Sequence, residues 1–153
     1  MGAGARLARA ALLALGLGGT LPAWAADPSQ WVGKYPSDKI EGRTLWDTLE
    51  PALDGAIGAR LGTTVRRGWG PEEPVIASGG WVVARACKMH ECGDNNVTVA
   101  VSPQRRLVAC TLVNDSQDRG TWREAGRPAR ARADGCPEGN DMVAAMRRDG
   151  LAP

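Results

Sequence analysis

The stretch WVVARACKMHECGDNNVTVAVSPQRRLVACTLVN, residues 81–114, decides the fold because it holds three strand-like runs in close succession. The runs cover residues 81–87, 96–102 and 106–114. Each is short, rich in β-branched or aromatic residues and bounded by turn-forming residues, which is typical of strands. The segment SPQRR between the second and third runs is short enough to reverse the chain directly. The stretch therefore predicts an antiparallel meander.

An amphipathic helix is predicted upstream, in RTLWDTLEPALDGAIGARLG, residues 43–62. Its apolar residues recur at intervals of three and four, which places them on one helical face. Pro51 should start a second helical segment or kink the first, because proline has no backbone N–H and its ring crowds the preceding turn. The apolar positions are Leu45, Trp46, Leu49, Leu53, Ile57 and Leu61.

The segments on either side complete an α+β pattern. Residues 63–80 are dense in Gly and Pro, and indicate a long connection with one short strand near Val75 and with Trp69 in the core. Residues 120–133 add a fourth or fifth strand, and Asn140 or Asp141 caps a last helix in residues 141–150. The expected architecture is an antiparallel sheet of about five strands flanked by helices.

The first 25 residues have the pattern of a secretory signal peptide. Arg6 and Arg9 precede an apolar run, and a small-x-small site ends at Ala25. The expected division is a signal peptide in residues 1–25 and one domain in residues 26–153. Removal of the signal peptide lowers the number of Lys and Arg residues from 19 to 17. This equals the number of Asp and Glu residues, 17, so the exported chain has a net charge of zero. The Ala, Arg and Gly bias favours a bacterial periplasm, with no membrane anchor.

Enzyme chemistry has little support in the sequence. There is no phosphate loop, no Gly-x-Ser-x-Gly, no His-Glu-x-x-His and no Cys-x-x-Cys, and His90 is the only histidine. The interpretation is a protein that is not an enzyme and needs no cofactor. Arg127, Arg130 and Arg132 are interpreted as a solvated strand face and not as a nucleic-acid site, because the exported chain is neutral.

Four cysteines in an exported chain favour two disulfides, since the compartment is oxidising. A bridge between Cys87 and Cys92 would close a six-residue ring around His90, and a second would join Cys110 and Cys136. Metal ligation by Cys87, His90 and Cys92, with Cys110 or Cys136 as a fourth ligand, is the disfavoured alternative. The spacing alone leaves two interpretations equal: a restrained binding loop, or a strained hairpin whose Lys88 and His90 are merely solvated.

The segments ACKMHECG, VTVAVS, TLVND and TWREAG together resemble the Ivy family, periplasmic inhibitors of vertebrate lysozyme. The hallmark of that family is a disulfide-closed Cys-Lys-Pro-His-Asp-Cys loop. Cys87, Lys88, His90 and Cys92 coincide with it, whereas Met89 replaces the usual proline and Glu91 replaces aspartate. The resemblance is best over residues 81–122.

The resemblance implies a loop that enters the active-site cleft of C-type lysozyme and sets His90 against its two catalytic carboxylates. It also implies that Lys88 and Glu91 shape the loop, that the Cys87–Cys92 bridge holds it, and that the protein is often a homodimer. The alternative is a relative that keeps the scaffold without inhibiting lysozyme and acts as an envelope interaction partner, for example of the cell's own lytic transglycosylases. Met89 is the feature that favours this alternative.

Overall fold

The computed structural model describes Met1, residues 26–114 and residues 119–153. The predicted signal peptide therefore lies, apart from Met1, outside the described residues. Short 3-10 helices cover Pro28–Trp31 and Gly139–Asp141. The helices are α1 (Leu45–Ile57), α2 (Ala59–Gly68) and α3 (Met142–Arg148), and the strands are β1 (Glu72–Ser78), β2 (Trp81–Cys87), β3 (Asn95–Val101), β4 (Leu107–Val113), β5 (Thr121–Arg123) and β6 (Arg130–Ala131).

The six strands form one sheet in the order β1-β2-β3-β4-β5-β6, and every neighbouring pair is antiparallel. The predicted α+β class is confirmed, and so are the three strands of the opening stretch, whose ends fall within one residue of the prediction. The register aligns Ala84 with Val99 and Val99 with Ala109 across the sheet centre. The sheet has one strand more than expected because residues 120–133 supply two short strands.

The helical break lies at Gly58 and not at Pro51, which corrects the prediction. Thr44 and Asp47 form a capping box that starts α1, and the helix then continues through Pro51 to Ile57. Gly58 has a φ of +86°, a left-handed value that favours glycine, so the chain turns there into α2. Leu53 lies after the proline and is fully buried, so core packing favours continuation of the helix.

Residues 63–80 do not form the long connection that the sequence predicts, because many of them belong to α2 and β1. Thr63 to Gly68 belong to α2, and β1 occupies Glu72–Ser78. The side chain of Arg66 is only 9% exposed and forms ion pairs with Glu50 and Asp54, which ties α2 to α1. Trp69 is half-buried against the core, in agreement with its prediction as a core residue.

A hydrophobic core lies on each face of the sheet, because successive residues of the central strands point to opposite sides. Val99 belongs to the core that α1 covers, and Ala100 belongs to the core that α3 covers. The polar N-terminal segment also contributes to the first core through Trp31, which is fully buried. Among the described residues, no helix has the length and apolar character needed to cross a membrane.

Candidate functional site

The candidate site is the loop of residues 88–94 between β2 and β3, which we call the ring loop. Cys87 is the last residue of β2, and its disulfide to Cys92 spans 4.9 Å between Cα atoms. The backbone N–H of Lys88 donates to the carbonyl of Asn95 at 2.9 Å, so the hairpin ladder runs directly into the loop. The sequence places the turn here because "CGDNN" is rich in turn-forming residues between two β-rich runs.

Glu91 holds the inside of the ring loop together. Its carboxylate accepts from the Lys88 Nζ at 2.7 Å to each oxygen, and from the Asn95 Nδ2 at 2.9 Å. Its backbone carbonyl accepts from the N–H groups of Asp94 at 3.0 Å and Asn95 at 2.8 Å. Glu91 therefore stabilises the conformation of the loop, and its negative charge is balanced by Lys88.

Met89 and His90 form the exposed tip of the ring loop. Met89 is 61% exposed, and His90 is also exposed. His90 has a φ of +64°, in the left-handed region that non-glycine residues seldom adopt. No hydrogen bond or ion pair joins its ring to any other residue that the structure describes. The imidazole is thus available to a partner.

The base of the ring loop is fixed by residues that the sequence did not single out. Asn95 and Asn96 are each only 3% exposed. The Asn95 side chain exchanges two hydrogen bonds of 3.2 Å with Asn114 at the end of β4, and the Asn96 Nδ2 donates to the carbonyl of Cys92 at 2.8 Å. On the other side, the Cys87 N–H donates to the carbonyl of Pro71 at 3.0 Å. Two adjacent asparagines at the start of a strand that is otherwise rich in valine were the signal for this role.

The second disulfide, Cys110–Cys136, belongs to the core and not to the ring loop. Cys110 lies in β4 and is fully buried, and its Cα is 5.5 Å from that of Cys136. Gly120 packs so closely that a Cβ there would lie 2.9 Å from the Cys110 Sγ. The bridge ties the segment before α3 to the sheet.

All four cysteines are consumed by these bridges. The alternative of a metal held by Cys87, His90 and Cys92 is therefore wrong, because a disulfide sulfur is no longer a thiolate ligand. Among the residues that the structure describes, no group of three His, Cys, Asp or Glu side chains has the arrangement of a metal site.

The interpretation of Arg127, Arg130 and Arg132 as a solvated strand face needs correction, because not all three side chains are exposed. Arg127 and Arg130 are exposed, but the side chain of Arg132 is only 10% exposed. Its Cζ lies 5.6 Å from the ring centroid of Trp122. Arg132 is thus packed into the fold.

The chain matches a known protein family. The family described as inhibitor of vertebrate lysozyme (Ivy) matches residues 48–148, a span that includes the whole sheet, the ring loop and both disulfides. No curated protein and no solved structure shows significant similarity to the chain. The match covers most of the chain and agrees with the loop motif. The chain therefore belongs to the Ivy family of inhibitors of vertebrate lysozyme.

Proposed function

We propose that the protein is a periplasmic inhibitor of C-type lysozyme and that the ring loop enters the active-site cleft of that enzyme. The observation that carries the proposal is a disulfide-closed loop with an exposed, unpartnered His90 in a member of an inhibitor family. The family is one of inhibitors and not of enzymes, which supports a role in binding.

The chemistry of the target explains why an imidazole suits this role. Lysozyme uses one carboxyl group as a general acid and needs a second that stays ionised. An imidazole that bonds to both groups prevents proton donation by the first and blocks the second. His90 requires no rearrangement within the inhibitor to do so, because its ring has no partner among the described residues.

The ring loop carries three charged side chains, those of Lys88, Glu91 and Asp94. The Glu91 carboxylate is paired with Lys88, so it brings no uncompensated charge to the tip. Asp94 adds one exposed negative charge to the loop.

The loop is restrained before it meets a partner, even though Met89 replaces proline. The disulfide, the Lys88–Glu91 pair and the Asn95–Asn114 bonds together limit its conformations. A restrained loop loses less conformational entropy on binding. The loop therefore stays restrained without the proline.

A cell-wall lysis assay with C-type lysozyme tests the proposal. The protein should suppress lysis, and replacement of both Cys87 and Cys92 by serine should weaken inhibition while the fold is kept. The matched control replaces Cys110 and Cys136, which should lower the free energy of unfolding by about 3.5 kcal/mol, against about 2 kcal/mol for the smaller ring. Undiminished lysis at saturating concentrations of the native protein would contradict the proposal.

The second candidate is an envelope protein that keeps the scaffold but does not inhibit lysozyme, with an endogenous lytic transglycosylase as its target. The exposed, apolar Met89 at the tip is the observation that favours it. A native protein that fails against C-type lysozyme but inhibits a purified transglycosylase would select this candidate. Export through a cleaved leader and a homodimeric state belong to both candidates and are tested by N-terminal sequencing and light scattering.

A further inference from the structure

A small cavity at the β5–β6 edge of the sheet gathers three arginines. Its walls include Arg130, Arg132 and Arg148, together with Trp122 and Asp149, and its volume is about 230 Å³. The Trp122 Nε1 donates to the Asp149 Oδ2 at 2.6 Å, and Arg130 donates to the backbone carbonyl of Asp149. One carboxylate oxygen of Asp149 is thus occupied by a neutral donor.

Arg132 is a largely buried cation whose ion pair with Asp134 is a long one. Its side chain is nine-tenths buried, and its Nε and Nη1 atoms are buried without a hydrogen-bond partner in the described part of the chain. Its Nη2 lies 3.4 Å from the Asp134 Oδ2, a long contact with a side chain that is 83% exposed. A buried guanidinium is unfavourable without a close anion. Apart from the Trp122 ring, 5.6 Å from its Cζ, the described part of the chain therefore offers this cation no close partner.

The charges around the small cavity do not cancel. Arg130, Arg132 and Arg148 face two carboxylates, Asp134 and Asp149, which leaves one excess positive charge. The exported chain as a whole is neutral, so this excess is a local feature. Arginine is the side chain best suited to bind carboxylates and phosphates, because its planar donors match their geometry.

An apolar cavity of about 560 Å³ adjoins the charged one, with which it shares Trp122 and Arg130. Pro128 and Leu151 contribute apolar surface to it. Its volume is in the range of sites that bind small organic molecules. We call the two cavities together the arginine groove.

We propose that the arginine groove binds a small amphipathic organic anion. The anionic group lies against Arg132 and Arg148 and displaces Asp134 from its long contact, while the apolar body lies against Pro128 and Leu151. The groove lies at β5 and β6, whereas the ring loop joins β2 and β3. The site is therefore separate from the proposed inhibitory loop, and either proposal can fail alone.

A pair of fluorescent probes tests the groove in the purified full-length exported protein. The anionic probe is 8-anilinonaphthalene-1-sulfonate, and its uncharged counterpart is N-phenyl-1-naphthylamine. The anionic probe should bind at least about tenfold more tightly, since the arginines add charge-assisted hydrogen bonds to the apolar contact. Inorganic phosphate should displace it by competing for the charged cavity. Equal binding of the two probes, or no displacement by phosphate, would overturn the proposal.

Substitutions of arginines in and beside the groove test where the anionic probe binds. Arg148→Gln changes an exposed residue of α3 and should weaken binding of the anionic probe by about tenfold without unfolding the chain. Arg147→Gln is the matched control, because Arg147 is the next residue but does not line the groove; it should bind like the native protein. Arg132→Gln should abolish the preference for the anionic probe, with circular dichroism as the check on folding. Native affinity in Arg148→Gln would refute the site, whatever Arg132→Gln does. All three variants should still inhibit lysozyme.

Discussion

Replacement of His90 is the sharpest test of the ring loop, because the side chain is exposed and has no partner among the described residues. Its removal should delete the proposed binding group and break no hydrogen bond or ion pair of the described residues. In the proposed complex the imidazole makes two hydrogen bonds to carboxyl groups, each worth about 1.5–3 kcal/mol. A total of about 3–5 kcal/mol corresponds to a rise of two to three decades or more in the dissociation constant.

The backbone of His90 requires a second variant beside alanine. At a φ of +64°, alanine strains the loop by about 1–2 kcal/mol, whereas asparagine tolerates the left-handed region. His90→Ala therefore loses the imidazole and disturbs the tip, and His90→Asn loses the imidazole while keeping the backbone. We expect both variants to lose affinity, and we expect His90→Asn to melt at the same temperature as the native protein.

Titration calorimetry with C-type lysozyme measures the effect, and thermal unfolding followed by circular dichroism provides the check on the fold. Met89→Ala is a useful neighbour control, because it truncates the other tip residue and leaves the imidazole in place. If His90→Asn binds lysozyme as tightly as the native protein, the imidazole has no part in the inhibition, and the reasoning from its exposure is wrong.

Two further predictions concern the base of the ring loop and acid stability. Asn95→Ala removes three hydrogen bonds of a buried side chain and should lower the free energy of unfolding by about 1–3 kcal/mol, as measured in urea, whereas the exposed Asn140→Ala should change little. Hydrogen bonds from Arg106 hold the pKa of Glu124 below its ordinary value, and the resulting stability is present above the unfolded-state pKa and is lost as the pH falls through the folded-state pKa. Arg106→Met should therefore destabilise the protein more at neutral pH than near about pH 3, and equal losses in melting temperature would disprove the coupling.

The central strands could be predicted from the sequence because their signal is local. Runs such as Trp81–Cys87 combine β-branched residues with turn-forming ends, and the structure keeps that run unchanged. The end of α1 could not be predicted in the same way. Pro51 is the strongest local helix breaker, but burial of Leu49 and Leu53 on either side favours one continuous helix, and the turn comes at Gly58.

Of the candidate site, only the disulfide-closed ring could be predicted from the sequence. The order of cysteines, lysine and histidine in the opening stretch suffices to suggest a ring and a resemblance. The support beneath the ring depends on Asn114, which lies nineteen residues beyond Asn95 and meets it only when β3 and β4 pair. The buried position of Arg132 likewise depends on its packing against Trp122, and a basic segment read by itself suggests a solvated surface.

The two disulfides join cysteines that are consecutive along the chain, and each strand pairs with the strand that precedes it. An export route that delivers the N-terminus first would present Cys87 and Cys92 to the oxidising machinery before Cys110, and Cys136 last. Cysteines that are oxidised in the order in which they are exported then form Cys87–Cys92 first and Cys110–Cys136 second, which are the native disulfides. Maturation of such an exported chain should consequently need an oxidase but no disulfide isomerase.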